Sequence, residues 1–144
     1  MSEIGAVKKT VIDDLLATGS LTAVVSTRVY DEVTPQPAVF PYVRIRVQPG
    51  RNRNVIGAKV FEEFELFVEA IREVNAATPS HKATQDIYDI ADAVVRDSFG
   101  TVGADEVRGF IQKGTYQFFE HGEAGKMYSV CGARFTGYAY NTAD

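Results

Sequence analysis

Apolar residues recur every three or four positions near the N terminus, the spacing that aligns side chains along one face of an α-helix. The stripe consists of Ile4, Val7, Val11 and Leu15. Gly19 follows it, and glycine readily ends a helix because it adopts backbone conformations that other residues avoid. The pattern predicts an amphipathic helix that stops at Gly19, followed by a short helical turn over residues 21–25.

A second helical pattern occupies residues 79–98. Thr78 can cap a helix, and Pro79 suits its first turn because the amide hydrogen that proline lacks would be unpaired there. The apolar residues at helical spacing are Ala83, Ile87, Ile90, Ala91, Val94 and Val95. We expect this apolar side of the helix to be buried against a sheet.

Polar and apolar residues alternate over residues 42–47 and again over residues 60–70, the period of a strand with one buried face. The apolar sides consist of Val43, Ile45 and Val47 in the first segment and of Phe64, Leu66 and Val68 in the second. The opposite sides carry Arg44 and Arg46 in the first segment and Glu63, Glu65 and Glu69 in the second. Phe67 interrupts the acidic side, which indicates that something partly covers that face. The intervening residues 48–59 include a proline and two glycines and are predicted to form a loop.

Two further strands are predicted over residues 106–119 and 127–140, joined by a polar, glycine-containing hairpin turn over residues 120–125. Short links between consecutive strands favour antiparallel pairing. The order of elements therefore predicts an α+β fold, a two-layer sandwich in which a mainly antiparallel four-stranded sheet carries two helices on one face. A short extended stretch precedes it near Tyr30, and residues 1–144 are expected to form a single domain. The other face of the sheet would lack cover from within the chain.

Composition excludes several classes of site. The 144 residues include one cysteine and two histidines, too few for an intramolecular disulfide, a multi-cysteine zinc site or a histidine-rich metal centre. The net charge of −4 disfavours general binding of polyanions. The N-terminal segment lacks the pattern of a signal peptide, and no stretch approaches the roughly 20 apolar residues of a membrane span. We therefore expect a soluble protein made in a reducing compartment.

No combination of residues predicts catalysis. Cys131 lies on the apolar side of a predicted strand, which favours a small buried thiol over a nucleophile. His81 falls in the first turn of a predicted helix and His121 in a hairpin turn, so we expect both to be solvated. The serines have no histidine at the spacing of a hydrolase motif, and the glycines match neither a dinucleotide-binding nor a P-loop motif. We expect a protein that is not an enzyme and has no catalytic, cofactor-binding or metal-binding residues.

Charged and aromatic residues instead indicate an interface. Basic residues cluster in and after the first long strand, beside the acidic side of the next strand, so they can pair across strands or with an acidic face of another subunit. Aromatic residues crowd both faces of the last two strands, more than one helical layer can cover. The predicted interface residues are Arg44, Arg46, Arg51, Arg53, Glu63, Glu65, Tyr116, Phe118 and Tyr138. The loop over residues 48–59 is expected to act as an arm that contacts a neighbouring subunit or another component of the same assembly.

Two short motifs carry a family resemblance: Arg28-Val29-Tyr30-Asp31 and, after a proline-containing spacer, Phe40-Pro41-Tyr42-Val43-Arg44-Ile45. With Leu21-Thr22-Ala23-Val24-Val25 after the opening helix, they resemble the small tail-completion or tail-terminator proteins of tailed bacteriophages. The resemblance covers nearly the whole chain in the order and length of its elements. It implies a non-enzymatic subunit that forms a ring, usually a hexamer, which caps the tail tube and offers a docking surface to the head connector.

The resemblance also implies where the protein works and with what. Its partners would be further copies of itself, the tail tube protein and the head–tail connector, with viral DNA passing through the lumen without sequence-specific binding. No cofactor is implied, and the subunit would be made in the host cytoplasm and located in the virion at the head–tail junction. Two alternatives remain open: another neck subunit, either an adaptor or a stopper, and a small cytoplasmic ligand-binding domain.

Overall fold

The computed structural model describes residues 3–31, 33–35, 37–54, 59–75, 80–98 and 107–142. Within these residues the helices are α1 (Glu3–Leu16), α2 (Gly19–Val25) and α3 (Lys82–Ser98). The strands are β1 (Val29–Asp31), β2 (Tyr42–Asn54), β3 (Lys59–Glu73), β4 (Val107–His121) and β5 (Met127–Thr142). They form one sheet in the order β1-β2-β3-β5-β4.

The sheet is mixed, because β1 runs parallel to β2 while the other three adjacent pairs are antiparallel. The predicted α+β class is confirmed, but the described residues contain five strands rather than four and three helices rather than two. β1 has only three residues, too few for an alternating pattern to show that it belongs to the sheet. Residues 32–41 link the parallel strands β1 and β2.

The helices cover one face of the sheet, and the main hydrophobic core lies between the two layers. On α1, Val7, Val11 and Leu15 are fully buried, as the N-terminal pattern predicts. The sheet contributes Val43, Ile45, Phe64, Leu66, Val68, Cys131, Ala133 and Phe135, all fully buried. Burial of apolar surface on both sides of this layer provides the main favourable term for folding.

α3 is rotated slightly from the orientation that its apolar residues predict. Ile87, Ala91 and Val95 are buried, but Ile90 and Val94 are only half-buried at the edge of the core. Tyr88 is 3% exposed, and its hydroxyl donates a hydrogen bond to Asp92 Oδ1 (3.1 Å) and accepts one from Gln112 (3.1 Å). The hydroxyl of Tyr88 thus has hydrogen-bond partners, which allows a tyrosine to occupy a core position. The helix begins at Lys82, and the predicted cap at Thr78 and Pro79 lies outside the described residues.

The predicted boundaries of the loop over residues 48–59 and of the first helix are wrong. β2 continues to Asn54 and β3 begins at Lys59, so most of the predicted loop over residues 48–59 is strand. β1 pairs with β2 only at residues 43–45, so among the described residues the outer edge of β2 is free beside Pro49, where a missing amide donor costs little. α1 ends at Leu16, and Gly19 begins α2 rather than ending α1.

The face of the sheet away from the helices is partly covered by the chain itself. Residues 37–41 lie over its end, where Phe40 stacks on Tyr128 with 4.8 Å between ring centroids. The Nε of Arg28 donates a hydrogen bond to the carbonyl oxygen of Pro41 (2.9 Å) and holds this segment in place. A second small core forms there around Tyr42, Ile71 and Val130, so the expected lack of cover applies only to the rest of this face.

The C-terminal hairpin forms where the sequence predicts it, although β4 includes residues 120 and 121 of the predicted turn. β4 and β5 pair over almost their whole length, and the Gly122 amide donates a hydrogen bond to the Lys126 carbonyl (2.8 Å) to close the turn. Ala124 and Gly125 have φ angles of 57° and 74° within that turn. Positive φ suits glycine, which explains the residue type at position 125.

Candidate assembly surface

The open face is our name for the side of the sheet that does not contact the helices, excluding the end covered by residues 37–41. Strand register places Arg44, Glu69, Gly132 and Tyr116 in one row across β2, β3, β5 and β4. The next row contains Arg46, Phe67 and Arg134. Alternation along each strand therefore gathers charged and aromatic residues on one surface.

The first row is built around the carboxylate of Glu69. The Nε and Nη2 of Arg44 donate hydrogen bonds to Glu69 Oε1, at 3.2 and 3.1 Å. The Glu69 side chain is 5% exposed and that of Arg44 is 28% exposed, so the pair is largely removed from water. Burial opposes the charged form of Arg44, but the nearby carboxylate and its hydrogen bonds outweigh that effect and raise the arginine pKa.

Tyr116 completes this row from β4. Its hydroxyl hydrogen-bonds to Glu69, and its pKa is raised by burial first and then by the negative charge and hydrogen bond of that carboxylate. Gly132 lies between them, and a Cβ atom there would approach the Val68 carbonyl oxygen to 2.7 Å and Glu69 Cγ to 2.9 Å. The absence of a side chain at position 132 is what lets Glu69 and Tyr116 meet.

The second row explains the aromatic residue that interrupts the acidic side of β3. The Arg46 guanidinium lies 4.4 Å from the centroid of the Phe67 ring, a cation–π contact that shields the ring from water. Nearby, Arg134 Nη1 lies 3.6 Å from Glu65 Oε1. Both charged groups of that ion pair are more than a third exposed, so it contributes little to stability.

Large apolar side chains remain in contact with water along β4. On the side of the sheet away from the helices, Phe118 is 42% exposed and Ile111 is 50% exposed, and Phe118 stacks on Tyr116 with 5.9 Å between centroids. β4 is also an edge strand, so one side of its backbone has no partner strand among the described residues. A long edge with exposed apolar groups is a common site of contact with another chain.

Seven of the nine predicted interface residues share the side of the sheet away from the helices: Arg44, Arg46, Glu63, Glu65, Tyr116, Phe118 and Tyr138. Glu63 lies directly opposite Tyr138 in the register. Arg51 and Arg53 belong to the end of β2, with Arg53 opposite Phe61, and their side chains lie outside the described ones. Glu69 is not among the predicted interface residues, although its place in the alternation of β3 puts it beside Arg44.

Of the two histidines, both predicted to be solvated, only His81 is in a different state. His81 precedes α3 and is half-buried, with Nδ1 2.6 Å from the hydroxyl oxygen of Ser129 and its ring stacked on Phe119 at 4.0 Å. Its packing against β4 and β5 is a long-range contact that local spacing cannot show. His121 is exposed as expected, but it is the last residue of β4 rather than part of the turn.

Cys131 is fully buried on the helix-covered face, as predicted. Burial raises the pKa of its thiol, which favours the unreactive protonated form. Among the described residues, no group of three or more histidine, cysteine, aspartate and glutamate side chains is placed to hold a metal ion. Within the same part of the chain, no helix combines the length and apolar character needed to cross a membrane.

Comparisons with known proteins give a structural match. No family model matches the sequence, and no curated protein is similar to it. Among solved structures, the chain is similar to a chain from the virion of a native gene transfer agent particle, with a TM-score of 0.54 and 21% sequence identity. The match covers 93% of this chain and 94% of that one. At this level of identity, the match shows a shared fold over nearly the full length of both chains.

Proposed function

We propose that this protein is a structural component of a phage-like virion, and more specifically a tail terminator whose copies form a ring that caps the tail tube and joins it to the head connector. The observation that carries the proposal is the shared fold with a chain of the gene transfer agent virion over 93% of the sequence. The motifs at residues 28–31 and 40–45 support the narrower assignment, because they resemble those of tail-terminator proteins.

Features of the sheet support self-assembly. The free edge of β4 and the half-exposed Phe118 and Ile111 provide an apolar contact area, and the charged rows of the open face provide a polar rim. A ring forms when two different patches of the same subunit meet head to tail through a rotation that closes. We propose six subunits, which gives a particle of about 95 kDa from a chain of 15.8 kDa.

The proposal includes no catalytic activity. The thiol of Cys131 is fully buried, and the hydroxyl of Ser129 is fully buried in contact with His81. Neither group can meet a substrate without opening the core. The net charge of −4 is consistent with a lumen through which DNA slides, because tight phosphate contacts would retard it.

Locating the chain in assembled particles tests this function. Particles that carry a tagged copy would be labelled with gold and imaged, and particles made without the gene would be measured for tail length and head attachment. We expect label at the junction between head and tail, and tails of uncontrolled length that lack heads when the gene is absent. Label on the head side of the junction, with tails of normal length, would assign the chain to an adaptor or stopper. A protein absent from particles would overturn the virion role.

A further inference from the structure

The outer edge of β4 lacks the features by which proteins usually keep an edge strand from pairing with another chain. Residues 115–121 pair with β5 in an unbroken register, and both irregularities of β4 lie before Gly114. On its other side, β4 has no partner strand among the described residues. Residues 115–121 contain no proline and no lysine, and their only carboxylate is that of Glu120. A regular, nearly uncharged edge of this kind is a template for a further strand.

Large side chains stand on both sides of this edge. Tyr116 and Phe118 lie on the side of the sheet away from the helices. Thr115, Gln117 and Phe119 lie on the helix side, opposite Ala133, Cys131 and Ser129 of β5. Phe118 is 42% exposed and Phe119 is 43% exposed, so aromatic surface is in contact with water on both sides. A strand added to the edge would cover part of both rings.

The helical layer leaves room for such a strand. α3 packs mainly on β3 and β5, which lie inward from β4 in the sheet. Adjacent strands are about 4.8 Å apart, so two copies joined edge to edge through β4 would hold their α3 helices about four strand spacings apart, or roughly 19 Å. Packed helices lie about 8–10 Å apart, so the two helical layers would not collide.

The edge is complementary to itself when two copies run antiparallel. Opposed side chains lie on the same side of a sheet, so a two-fold axis perpendicular to the sheet places one residue opposite its own copy. With Gln117 opposite itself, Tyr116 of each copy is opposite Phe118 of the other, and Thr115 is opposite Phe119. Aromatic pairs, and pairs of an aromatic with a β-branched residue, are favourable across strands.

Other positions of the axis fit less well. With the axis at Phe118, Tyr116 would be opposite the carboxylate of Glu120. With the axis at Tyr116, Phe118 would be opposite Gly114. Each of these registers keeps one aromatic pair, whereas the register centred on Gln117 has two aromatic pairs and two pairs of threonine with phenylalanine. The sequence of β4 therefore specifies a register as well as a partner.

We propose that β4 pairs with β4 of a second copy of this chain, antiparallel about a two-fold axis beside Gln117. The two sheets then form one continuous sheet with both helical layers on the same side. The pairing gives the backbone groups of both edges hydrogen-bond partners and covers exposed parts of Phe118 and Phe119. It goes beyond the proposed function and does not depend on it, because it describes copies that are not yet part of a ring, in which an uncovered edge would invite aggregation.

Cysteine cross-linking tests the register. Opposed Cα atoms of antiparallel strands lie about 4.5–5.5 Å apart, a distance that a disulfide can span. Gln117→Cys should therefore link to itself under mild oxidation and give a dimer of about 32 kDa from chains of 15.8 kDa on a non-reducing gel. Thr115→Cys and Phe119→Cys should each stay unlinked alone, because each lies roughly 13 Å from its own copy, but should link when mixed.

Two features of the chain make this experiment clean. The native thiol of Cys131 is fully buried, so the wild type should not link. Gln48→Cys is the matched control, because Gln48 is an exposed glutamine on β2, at the other end of the sheet.

Charge at position 117 tests the two-fold symmetry without a cross-link. Gln117→Lys or Gln117→Glu places like charges opposite each other and should weaken dimerisation at least tenfold in sedimentation equilibrium. An equal mixture of the two variants should regain the dimer, because opposite charges then meet. Gln48→Lys and Gln48→Glu should dimerise like the wild type. Circular dichroism and urea unfolding would establish that each variant is folded.

Several results would overturn the pairing. One is a wild-type chain that stays monomeric while Gln117→Cys links no more than Gln48→Cys, which would leave the edge to a different protein. Dimers that survive in both Gln117→Lys and Gln117→Glu, or that link through Thr115→Cys alone, would place the contact elsewhere. Loss in both charge variants without recovery in the mixture would also contradict the two-fold axis. None of these results changes the proposed function, which the location of the chain in particles tests separately.

Discussion

The two faces of the sheet are built from the same strands but are held together differently. On β3, Leu66 and Val68 point into the main core and are fully buried, whereas the alternate residues Phe67 and Glu69 belong to the open face. The centre of the covered face is apolar and depends on close packing against the helices. The open face depends on particular partners, such as Arg46 for Phe67 and Arg44 for Glu69.

The covered face therefore mainly provides stability, whereas the open face mainly provides specificity. Any well-fitting apolar side chain can serve the covered face, because burial of apolar surface has no direction. The open face requires a donor for each acceptor, because an unpaired buried charge is costly. We therefore expect substitutions on the covered face to affect unfolding most, and those toward the water-exposed part of the open face to affect assembly most.

The largest effect should come from Leu66→Ala on the covered face. Removing a fully buried leucine leaves a cavity and should lower the free energy of unfolding by about 3–5 kcal/mol. The matched change is Phe67→Ala at the next position, where the ring is half-buried and contacts the Arg46 guanidinium, and a loss of about 1 kcal/mol is expected. Urea unfolding measures both. Equal losses at the two positions would show that the faces do not differ as described.

Glu69→Gln should have the next largest effect. The change leaves the Arg44 guanidinium largely buried without its counter-charge, and the free energy of unfolding should fall by about 1–3 kcal/mol. Glu65→Gln is the control, because its ion pair with Arg134 is exposed and should contribute less than about 1 kcal/mol. A double-mutant cycle with Arg44→Gln isolates the interaction. A coupling energy near zero would contradict the role of the pair.

Alkaline unfolding sharpens the comparison further. The folded state raises the pKa of Tyr116 above its ordinary value of about 10. The stabilisation that comes from the neutral hydroxyl is therefore complete below about pH 10 and is lost as the pH rises toward the folded pKa. Tyr116→Phe removes this ionisation. Between about pH 9.5 and 11.5, the wild type should therefore lose more stability than the variant, as followed by urea midpoints. Parallel curves for the two proteins would contradict the prediction.

The smallest effect on unfolding is expected for Phe118→Ser. Its ring is 42% exposed, so the free energy of unfolding should change by no more than about 0.5 kcal/mol. Assembly should nevertheless weaken if the open face is an interface, since the exposed ring contributes contact area there. Sedimentation of the variant beside the wild type measures this. An unaltered oligomer would remove Phe118 from the interface.

The sequence predicts best where a local repeat coincides with burial. The alternation of Val43 and Ile45 with Arg44 and Arg46 identifies both faces of β2, because the strand period is two and one face is apolar. Prediction from the sequence fails where the burial of a residue depends on contacts with distant parts of the chain. His81 becomes half-buried only because Ser129 and Phe119 arrive from β5 and β4.

The candidate site residues show the same contrast between what a local pattern predicts and what depends on distant strands. The predicted interface set identifies Arg44 and Tyr116 from strand pattern, but not the carboxylate of Glu69 that joins them. That link depends on the order β2-β3-β5-β4 and on the space at Gly132, neither of which a single strand reveals. The extension of β2 through Pro49 is also a tertiary effect, since it relies on the free outer edge of the strand.

The strand order has a kinetic consequence. β2 with β3 and β4 with β5 are hairpins of neighbouring segments, but the central pairing joins β3 to β5 across the whole of α3, with Glu73 opposite Tyr128 and Lys59 opposite Thr142. Each hairpin can form early, whereas the pairing of β3 with β5 requires the long connection that contains α3 to be ordered first. Folding is therefore expected on the millisecond-to-second scale. Val68→Ala, which lies in that late pairing, should accelerate unfolding more than it slows folding. Stopped-flow kinetics of that variant would measure how late the two halves join.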